Sequence, residues 1–221
     1  QLKNHGSEIV CRHIVGYVPS KILSFLMNLN LSEKPIYLTR HGQSMFNIKN
    51  IIGGDSSLSE LGVKYSKALK LFMDKERESL NNEKFTIYSS TLRRTLQTTE
   101  QIKHLGQHII LKCLDEIDAG ICENMTYEEV EKIYPKEYEE RAKDKLRYRY
   151  PRGESYQDLI NRIEPIIYEL ERREGPVIIV GHQALLRCLY GYFVLAPLEK
   201  VPTLEIPLHT VIKLIPERSE E

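Results

Sequence analysis

Residues 36–44 read Ile-Tyr-Leu-Thr-Arg-His-Gly-Gln-Ser, and this stretch decides the fold. Its first four residues are β-branched, aromatic or aliphatic, a composition typical of a buried strand. Gly42 permits a sharp turn where a side chain would obstruct a ligand. Ligands of open α/β sheets bind beyond the carboxyl ends of the strands. We therefore expect Arg40 and His41 to stand at such an edge, as a fixed cation beside a reactive imidazole.

Strands and helices alternate along the rest of the chain. The sequence predicts further strands over residues 85–89, 109–114, 177–181 and 209–215. It predicts helices over about 59–75, 92–104, 155–173 and 183–193, with shorter ones after Thr126 and Pro135. The core-facing residues expected on the first long helix are Leu61, Tyr65, Ala68, Leu69 and Phe72. This alternation predicts an α/β fold, with a mostly parallel central sheet and helices on both faces.

The composition points to one globular domain. The chain has 221 residues, enough for a substantial core. Its 31 basic and 31 acidic residues balance, so no overall charge draws it to nucleic acid or to a membrane. No apolar run is long enough to cross a bilayer. The four cysteines lack the spacing of a metal site or a disulfide framework, so we expect unpaired thiols in a cytoplasmic protein without metal or cofactor.

Chemically active side chains follow several of the predicted strands. His41 and His182 each end a strand, Arg94 begins the helix after residues 85–89, and Glu116 follows the next strand. In a parallel sheet these ends share one rim, which would bring two imidazoles, guanidinium groups and a carboxylic acid together. That set favours phosphoryl transfer, which needs charge stabilisation and an in-line nucleophile. Arginine suits this role because its planar fork binds phosphate through two hydrogen bonds.

Other interpretations of the same residues stay open at this point. A histidine at a strand end is often structural, and His41, His182 and a cysteine would in principle bind zinc, although no short ligand pair supports it. His209 begins a strand from the opposite end, where packing is the expected role. Residues 141–156 are rich in cations and tyrosines and form either a solvated helix face or a binding surface.

The motifs resemble those of the histidine phosphatase (phosphoglycerate mutase-like) superfamily. Its Arg-His-Gly signature is matched within residues 38–44, and its second histidine in Gly181-His182-Gln183. Further stretches resemble the fructose-2,6-bisphosphatase domain of bifunctional 6-phosphofructo-2-kinase/fructose-2,6-bisphosphatases, at residues 52–59, 114–120, 125–129, 147–156 and 206–211. The resemblance covers about residues 20–216, nearly the whole chain.

The resemblance implies hydrolysis in two steps. His41 would attack the 2-phosphate of fructose 2,6-bisphosphate, and Glu116 would protonate the leaving sugar oxygen and then activate water. Arg40, Arg94 and His182 would hold the transferring phosphoryl group. The products would be fructose 6-phosphate and phosphate. The positions matching substrate-binding residues of the family are Asn47 and Gly53 near the phosphate and sugar, and Tyr127, Arg141, Lys145, Tyr156, Gln183 and Arg187 around the sugar and its 6-phosphate.

Two positions depart from the family pattern. Gln43 stands where these domains usually have Glu, and Leu146 stands where a Tyr is usual, which would loosen the 6-phosphate subsite.

The resemblance also implies the domain organisation. Residues 1–33 are expected to be an N-terminal arm, the remnant of an upstream kinase domain and its join, and residues 34–221 the phosphatase domain. No Gly-x-x-x-x-Gly-Lys-[Ser/Thr] loop occurs, so we expect no ATP binding by this chain.

Two alternative functions remain to be tested. One is a phosphoglycerate mutase or a broad phosphatase of the same superfamily, against which the resemblance of residues 125–156 argues. The other is a catalytically silent sensor that binds the sugar bisphosphate for an attached kinase. A pure binder has no need of an acid, so the presence of Glu116 beside His41 and His182 argues against the sensor.

Overall fold

The computed structural model describes residues 15–28 and 34–215, in which five strands form one sheet. The strands are β1 (Ile36–Arg40), β2 (Phe85–Ser89), β3 (Gly106–Ile110), β4 (Val177–Gly181) and β5 (Val211–Leu214). They are ordered β3-β2-β4-β1-β5. The first four are mutually parallel, and β5 is antiparallel to β1. The predicted α/β fold with a mostly parallel sheet is confirmed.

Helices connect and cover the strands. The α-helices are α1 (Tyr17–Asn28), α2 (Met45–Ile48), α3 (Glu60–Ser79), α4 (Arg93–Thr99), α5 (Tyr127–Ile133), α6 (Pro135–Lys143), α7 (Tyr156–Glu171) and α8 (Gln183–Phe193). Short 3₁₀ helices span Glu100–Leu105, Lys112–Leu114, Gly120–Cys122 and Leu198–Thr203. Of the predicted N-terminal arm, residues 1–14 and 29–33 lie outside the described residues. Among the described helices, none is long and apolar enough to cross a membrane.

Two hydrophobic layers sandwich the sheet because alternate residues of each strand point to opposite faces. Val177 and Ile179 of β4 pack into the layer that contains α7 and α8, whereas Ile178 and Val180 pack into the layer that contains α3. All four are buried, which explains why β4 is a continuous apolar run rather than an alternating one. The rigid sheet fixes the positions of the strand ends that carry the site.

The structure corrects several details of the predicted elements. The third strand is Gly106–Ile110 rather than 109–114, because Gly106 pairs with Phe85 and the chain leaves the sheet after Ile110. On α3, Leu61 is 50% exposed, Phe72 is 39% exposed and Ala68 is also exposed, so their predicted burial is wrong, while Met73 is fully buried. The core stripe of this helix is therefore Tyr65, Leu69 and Met73, each one turn after the last.

The direction of β5 also changes the position of His209. In a parallel strand its start would lie far from the end of β1, as the sequence suggested. Because β5 is antiparallel, Val211 pairs with Thr39 near the carboxyl end of β1. His209 therefore lies at the same rim as the predicted site, and the expectation that it begins a strand from the opposite end is wrong.

A contact between two glycines sets how closely α3 approaches the end of β1. A Cβ atom on Gly42 would lie 2.5 Å from the carbonyl oxygen of Gly62, and a Cβ on Gly62 would overlap the carbonyl oxygen of Gln43. The Gln43 carbonyl also accepts a hydrogen bond from the Ser59 amide at 2.8 Å. Ser59 caps α3, so the helix start and the Arg-His-Gly turn are fixed together.

We expect Gly62→Ala to destabilise the protein by about 1–3 kcal/mol, although alanine favours helices over glycine, because the added methyl group forces backbone apart. Chemical denaturation would measure this change. Ala68→Gly, at an exposed position of the same helix, is the control and should cost about 1 kcal/mol through helix propensity alone. A Gly62→Ala variant as stable as the parent protein would contradict the role of this contact.

Candidate active site

A cavity of about 340 Å³ opens at the carboxyl ends of β1 and β4. Twelve of the thirteen predicted site residues line it, and the thirteenth, His182, lies directly behind His41 with ring centroids 5.2 Å apart. The structure thus brings the whole predicted set together. Within residues 15–28 and 34–215, no group of three histidine, cysteine or acidic side chains is arranged to hold a metal ion.

The hydrogen bonds of His41 define which ring nitrogen can react. Its Nδ1 lies 2.7 Å from the carbonyl oxygen of Gly42, which can only accept, so Nδ1 carries the proton. Nε2 therefore carries the lone pair, which accepts a hydrogen bond from Arg94 Nε at 3.1 Å. Burial, followed by the positive charges of Arg94 and Arg40, lowers the pKa of His41 to about 3. The imidazole is consequently neutral and nucleophilic at neutral pH.

His182 precedes α8 and is completely buried. Its Nε2 lies 2.7 Å from the hydroxyl of Ser90, a residue just after β2. Its Nδ1 and the Nε of Arg40 are buried without a hydrogen-bond partner among the described residues. Because unpaired buried polar atoms are costly, an anion that accepts from both would stabilise the site. Burial and the nearby Arg94 hold the pKa of His182 well below its ordinary value.

Arg94 and Arg40 supply the cations beside the two imidazoles. Arg94 lies in the first turn of α4, is 4% exposed, and donates from Nη1 to the carbonyl oxygen of Gly54 at 2.7 Å. Arg40, the last residue of β1, donates to the carbonyl oxygen of Ile206 at 3.0 Å. Burial lowers the pKa of both guanidinium groups, but the negative charge of Glu116 opposes it. Both remain cations at neutral pH.

Glu116 lies on an irregular segment between β3 and α5. Its Oε1 accepts hydrogen bonds from the amides of Ile117 at 3.0 Å and Ala184 at 3.2 Å. Ala184 belongs to the first turn of α8, whose free amides favour a carboxylate. The carboxyl group therefore faces the same cavity as His41, and its charge acts on Arg40 and Arg94.

A second cluster of cations lines the same cavity and comes from α6, the segment after it, and α8. Arg141 lies 5.6 Å from the ring centroids of both Tyr127 and Tyr150. Lys145 donates to the carbonyl oxygen of Pro202 at 3.0 Å. Burial, with the charges of Arg187 and Arg141, lowers the pKa of Lys145 to about 8. This concentration of positive charge is a suitable place for a second anionic group.

Tyrosine hydroxyls and small residues complete the cavity. Arg187 donates to the hydroxyl of Tyr156 at 3.1 Å. Gly53 has a positive φ of 63°, and a Cβ there would overlap the Glu123 carboxylate. Asn47 and Gln183 also line the cavity; the Oδ1 of Asn47 accepts from the Ser44 amide at 2.9 Å, which leaves its amide group to face a ligand.

The two departures from the family pattern lie outside this cavity. The Oε1 of Gln43 accepts from the Ser59 hydroxyl at 2.8 Å, a bond that a glutamate would also make. Leu146 is 3% exposed and packs in the core with α7 and α8. The expectation that Leu146 loosens a subsite is therefore not supported by its position.

Several residues around the site escaped the sequence reasoning. Ser90 contacts His182, and the Thr98 hydroxyl accepts from the Gly42 amide at 3.0 Å. His209 Nε2 accepts from the Gln43 amide at 3.1 Å, and its ring lies 4.8 Å from that of Tyr65. The sequence signals for these residues were the Ser-Ser-Thr stretch after β2 and the motif at residues 206–211. Neither signal indicates which distant residue forms the hydrogen bond.

Comparison with known proteins agrees with this geometry. The model of the histidine phosphatase superfamily (branch 1) matches residues 36–221. The chain is 49% identical over 213 residues to a 6-phosphofructo-2-kinase/fructose-2,6-bisphosphatase of Arabidopsis thaliana, covering 96% of this chain and 28% of the relative. It is 47% identical over 216 residues to a fructose-2,6-bisphosphatase of Saccharomyces cerevisiae, covering 98% of this chain and 46% of the relative. The chain thus spans less than half the length of these two relatives.

Solved structures share the fold. Bacillus stearothermophilus YhfR superposes with a TM-score of 0.70 at 28% identity, covering 81% of this chain and 90% of that one. An α-ribazole phosphatase from Shigella flexneri superposes with a TM-score of 0.73 at 19% identity, covering 81% and 89% respectively, which bears on the fold alone. On the match of residues 36–221 and the identity to these relatives, the chain belongs to the histidine phosphatase superfamily, in its branch 1.

Proposed function

We propose that this chain hydrolyses the 2-phosphate of fructose 2,6-bisphosphate through a phosphohistidine on His41. The observation that carries the proposal is the unprotonated Nε2 of His41, which lies 3.1 Å from Arg94 Nε in a cavity that the second cationic cluster also lines. One nucleophile beside two anion-binding regions suits a substrate with two phosphates. The names of the Arabidopsis and yeast relatives support the choice of substrate.

In the first step, the lone pair of His41 Nε2 forms a bond to the phosphorus of the 2-phosphate. The bond from phosphorus to the sugar oxygen breaks, and protonated Glu116 gives its proton to that oxygen. Arg94, Arg40 and His182 Nδ1 stabilise the charge on the phosphoryl oxygens. At about 4 Å and an effective dielectric constant near 20, each cation contributes on the order of 4 kcal/mol before desolvation.

In the second step, the Glu116 carboxylate takes a proton from water, and the water oxygen bonds to phosphorus as the bond to His41 breaks. This releases phosphate and restores both residues. Fructose 6-phosphate and phosphate are the products. The 6-phosphate is held throughout by Arg141, Lys145 and Arg187, with hydroxyl groups from Tyr127 and Tyr156. No step requires a metal or an organic cofactor.

The proposal extends to the setting of the domain. The Arabidopsis relative carries two activities in its name, and this chain covers 28% of it. We place the chain beside a covalently attached kinase domain in the cytoplasm.

A mutase or broad phosphatase would not need the second cationic cluster, and a silent sensor would not need Glu116. Transfer between 2- and 3-phosphoglycerate, or binding of the bisphosphate without phosphate release, would identify these alternatives.

We expect His41→Ala to lower phosphate release from fructose 2,6-bisphosphate by more than about 10³-fold, because the nucleophile is gone. The parent protein should form an acid-labile, base-stable phosphoenzyme that the variant lacks. His104→Ala, which removes an exposed imidazole bonded to Asp74, is the control and should retain full activity. Full turnover by His41→Ala would contradict the mechanism, and no turnover by the parent protein would contradict the function.

We expect Arg141→Ala to raise KM about 10- to 100-fold with a smaller effect on kcat, because one charged hydrogen-bonding partner contributes about 1.5–3 kcal/mol. Steady-state kinetics with the bisphosphate would separate the two constants. Arg149→Ala is the matched control from the same segment, since Arg149 is exposed and pairs with Asp158. An unchanged KM in Arg141→Ala would remove Arg141 from the 6-phosphate subsite.

The lowered pKa of Lys145 predicts a pH dependence of binding. A lysine is charged below its pKa, so with a value of about 8 the side chain loses its charge as the pH rises through 8. The substrate phosphates are already ionised there, since their second pKa is about 6. KM should therefore rise above about pH 8, whereas Lys145→Arg should keep a flat KM to about pH 9.5 because arginine stays charged. The same rise in both proteins would exclude Lys145 as its cause.

A further inference from the structure

An ion pair between Arg162 of α7 and Glu154, which lies just before that helix, is directed at the segment that carries Glu116. Arg162 donates from Nε to one carboxylate oxygen of Glu154 at 2.7 Å and from Nη2 to the other at 2.8 Å. Each side chain is only 22% exposed. Exposed ion pairs contribute little, but a bidentate and largely buried pair holds its groups in one geometry. The other polar atoms of Arg162 and Glu154 contact the part of the chain that this fixed pair holds in place.

The remaining donors of Arg162 all reach the backbone of residues 113–116. Nη1 donates to the carbonyl oxygens of Cys113 at 2.8 Å and Asp115 at 3.1 Å, and Nη2 donates to that of Glu116 at 3.3 Å. A guanidinium group has five N–H bonds, and here each has an acceptor. Lysine has three donors and no planar fork, so it cannot reproduce this set.

Glu154 contacts the backbone of the same segment two residues further on, at Asp118. Its Oε2 accepts from the Asp118 amide at 3.0 Å, and its own amide donates to the Asp118 carbonyl at 2.8 Å. Together the two residues make five hydrogen bonds to the backbone between Cys113 and Asp118. The start of α7 lies between the two residues and is fixed, because Ser155 caps the helix and Asp158 closes the capping box.

The other restraints on the segment act at its two ends, where the Asp115 carboxylate accepts from the Thr91 amide at 2.8 Å and the Ala119 amide donates to Glu123 at 2.9 Å. Residues 115–119 belong to no helix or strand, so no regular ladder pairs their carbonyl groups. A cavity of about 690 Å³ borders the segment at Cys113, Glu116 and Asp118, so close packing is missing on that side. The Glu116 carboxylate itself is held only by the amides of Ile117 and Ala184 among the described contacts.

We infer that Glu154 and Arg162 are positioning residues that set where the Glu116 carboxyl group stands relative to the leaving oxygen. The inference rests on the proposed role of Glu116 as acid and base. A displacement of about 1 Å at a catalytic group costs roughly 10²-fold in rate. Loosening the pair should therefore slow proton transfer to a sugar oxygen, which leaves poorly as an alkoxide. It should spare 4-nitrophenolate, which leaves without a proton.

The experiment compares Arg162→Lys and Glu154→Gln with the parent protein in single-turnover reactions. Rapid quenching measures phosphoenzyme formation from fructose 2,6-bisphosphate, and the burst of 4-nitrophenolate measures the same step with 4-nitrophenyl phosphate. We expect a loss of about 10- to 100-fold with the sugar substrate, less than about threefold with the aryl phosphate, and little change in the sugar's dissociation constant. Arg149→Lys, in the ion pair that Arg149 makes with Asp158 of α7, is the matched control and should change neither rate.

Glu116→Gln separates the inference from the function on which it rests. If Glu116→Gln shows the selective loss and Arg162→Lys does not, the positioning role is refuted and the acid role stands. If Glu116→Gln lowers both rates equally or neither, the acid role itself fails. Equal losses for both substrates in Arg162→Lys and Glu154→Gln, accompanied by a lower melting temperature, would overturn the inference in favour of a purely structural ion pair.

Discussion

The hydrogen bonds from buried and half-buried cations to backbone carbonyl oxygens are the interactions on which the cavity depends. Arg94 donates to Gly54, Arg40 to Ile206, Lys145 to Pro202 and Arg187 to Leu204. A carbonyl oxygen orients a cation and satisfies a donor but carries only a partial charge. The net positive charge is therefore not cancelled, as it would be by a carboxylate, and remains available to an incoming anion.

Three of these carbonyl groups come from residues 202–206, which form the end of the 3₁₀ helix Leu198–Thr203 and the irregular residues after it. The next residues lead through His209, which accepts from the Gln43 amide, into the antiparallel strand β5. This one segment thus connects the cations of both parts of the cavity to the turn that carries His41. Because β5 is antiparallel to β1, its first residues lie at the sheet edge that carries His41. A parallel fifth strand would instead begin at the opposite edge of the sheet.

Much of this arrangement could be predicted from sequence because it follows local rules. The strands that carry Arg40, His41 and His182 are apolar runs that end in glycine or polar residues, and parallel pairing places their ends together. Boundaries at the sheet edge were less predictable. The strand β3 begins at Gly106, where its register with Phe85 decides the pairing rather than its own composition. On α3 the buried stripe includes Met73 rather than the predicted Phe72, because tertiary contacts determine which of two neighbouring helix faces is buried.

The supporting partners could not be predicted because they are distant in sequence and act on backbone atoms. Ser90 and His182 are 92 residues apart, Gln43 and His209 are 166 apart, and Glu116 and Arg162 are 46 apart. No motif spacing encodes a bond from a side chain to a carbonyl group on another element. Motifs indicate the residues that face a ligand, whereas the residues that aim them emerge only from the packed chain.

The same charges solve two problems in the proposed reaction. A nucleophilic imidazole must be unprotonated. Burial is the largest cause of the low pKa of His41, and the arginines that would bind the phosphoryl group lower it further. A bound phosphate neutralises part of that field, so proton affinity at Nε2 would rise just as the nitrogen acts as nucleophile. The Gly42 carbonyl oxygen maintains the reactive tautomer of His41, because it keeps the proton on Nδ1. In the phosphoenzyme the same oxygen would stabilise the positive charge that develops on the ring. Burial and two guanidinium groups thus lower the pKa of His41 and keep its ring neutral, while one backbone oxygen keeps the proton on Nδ1 and the lone pair on Nε2.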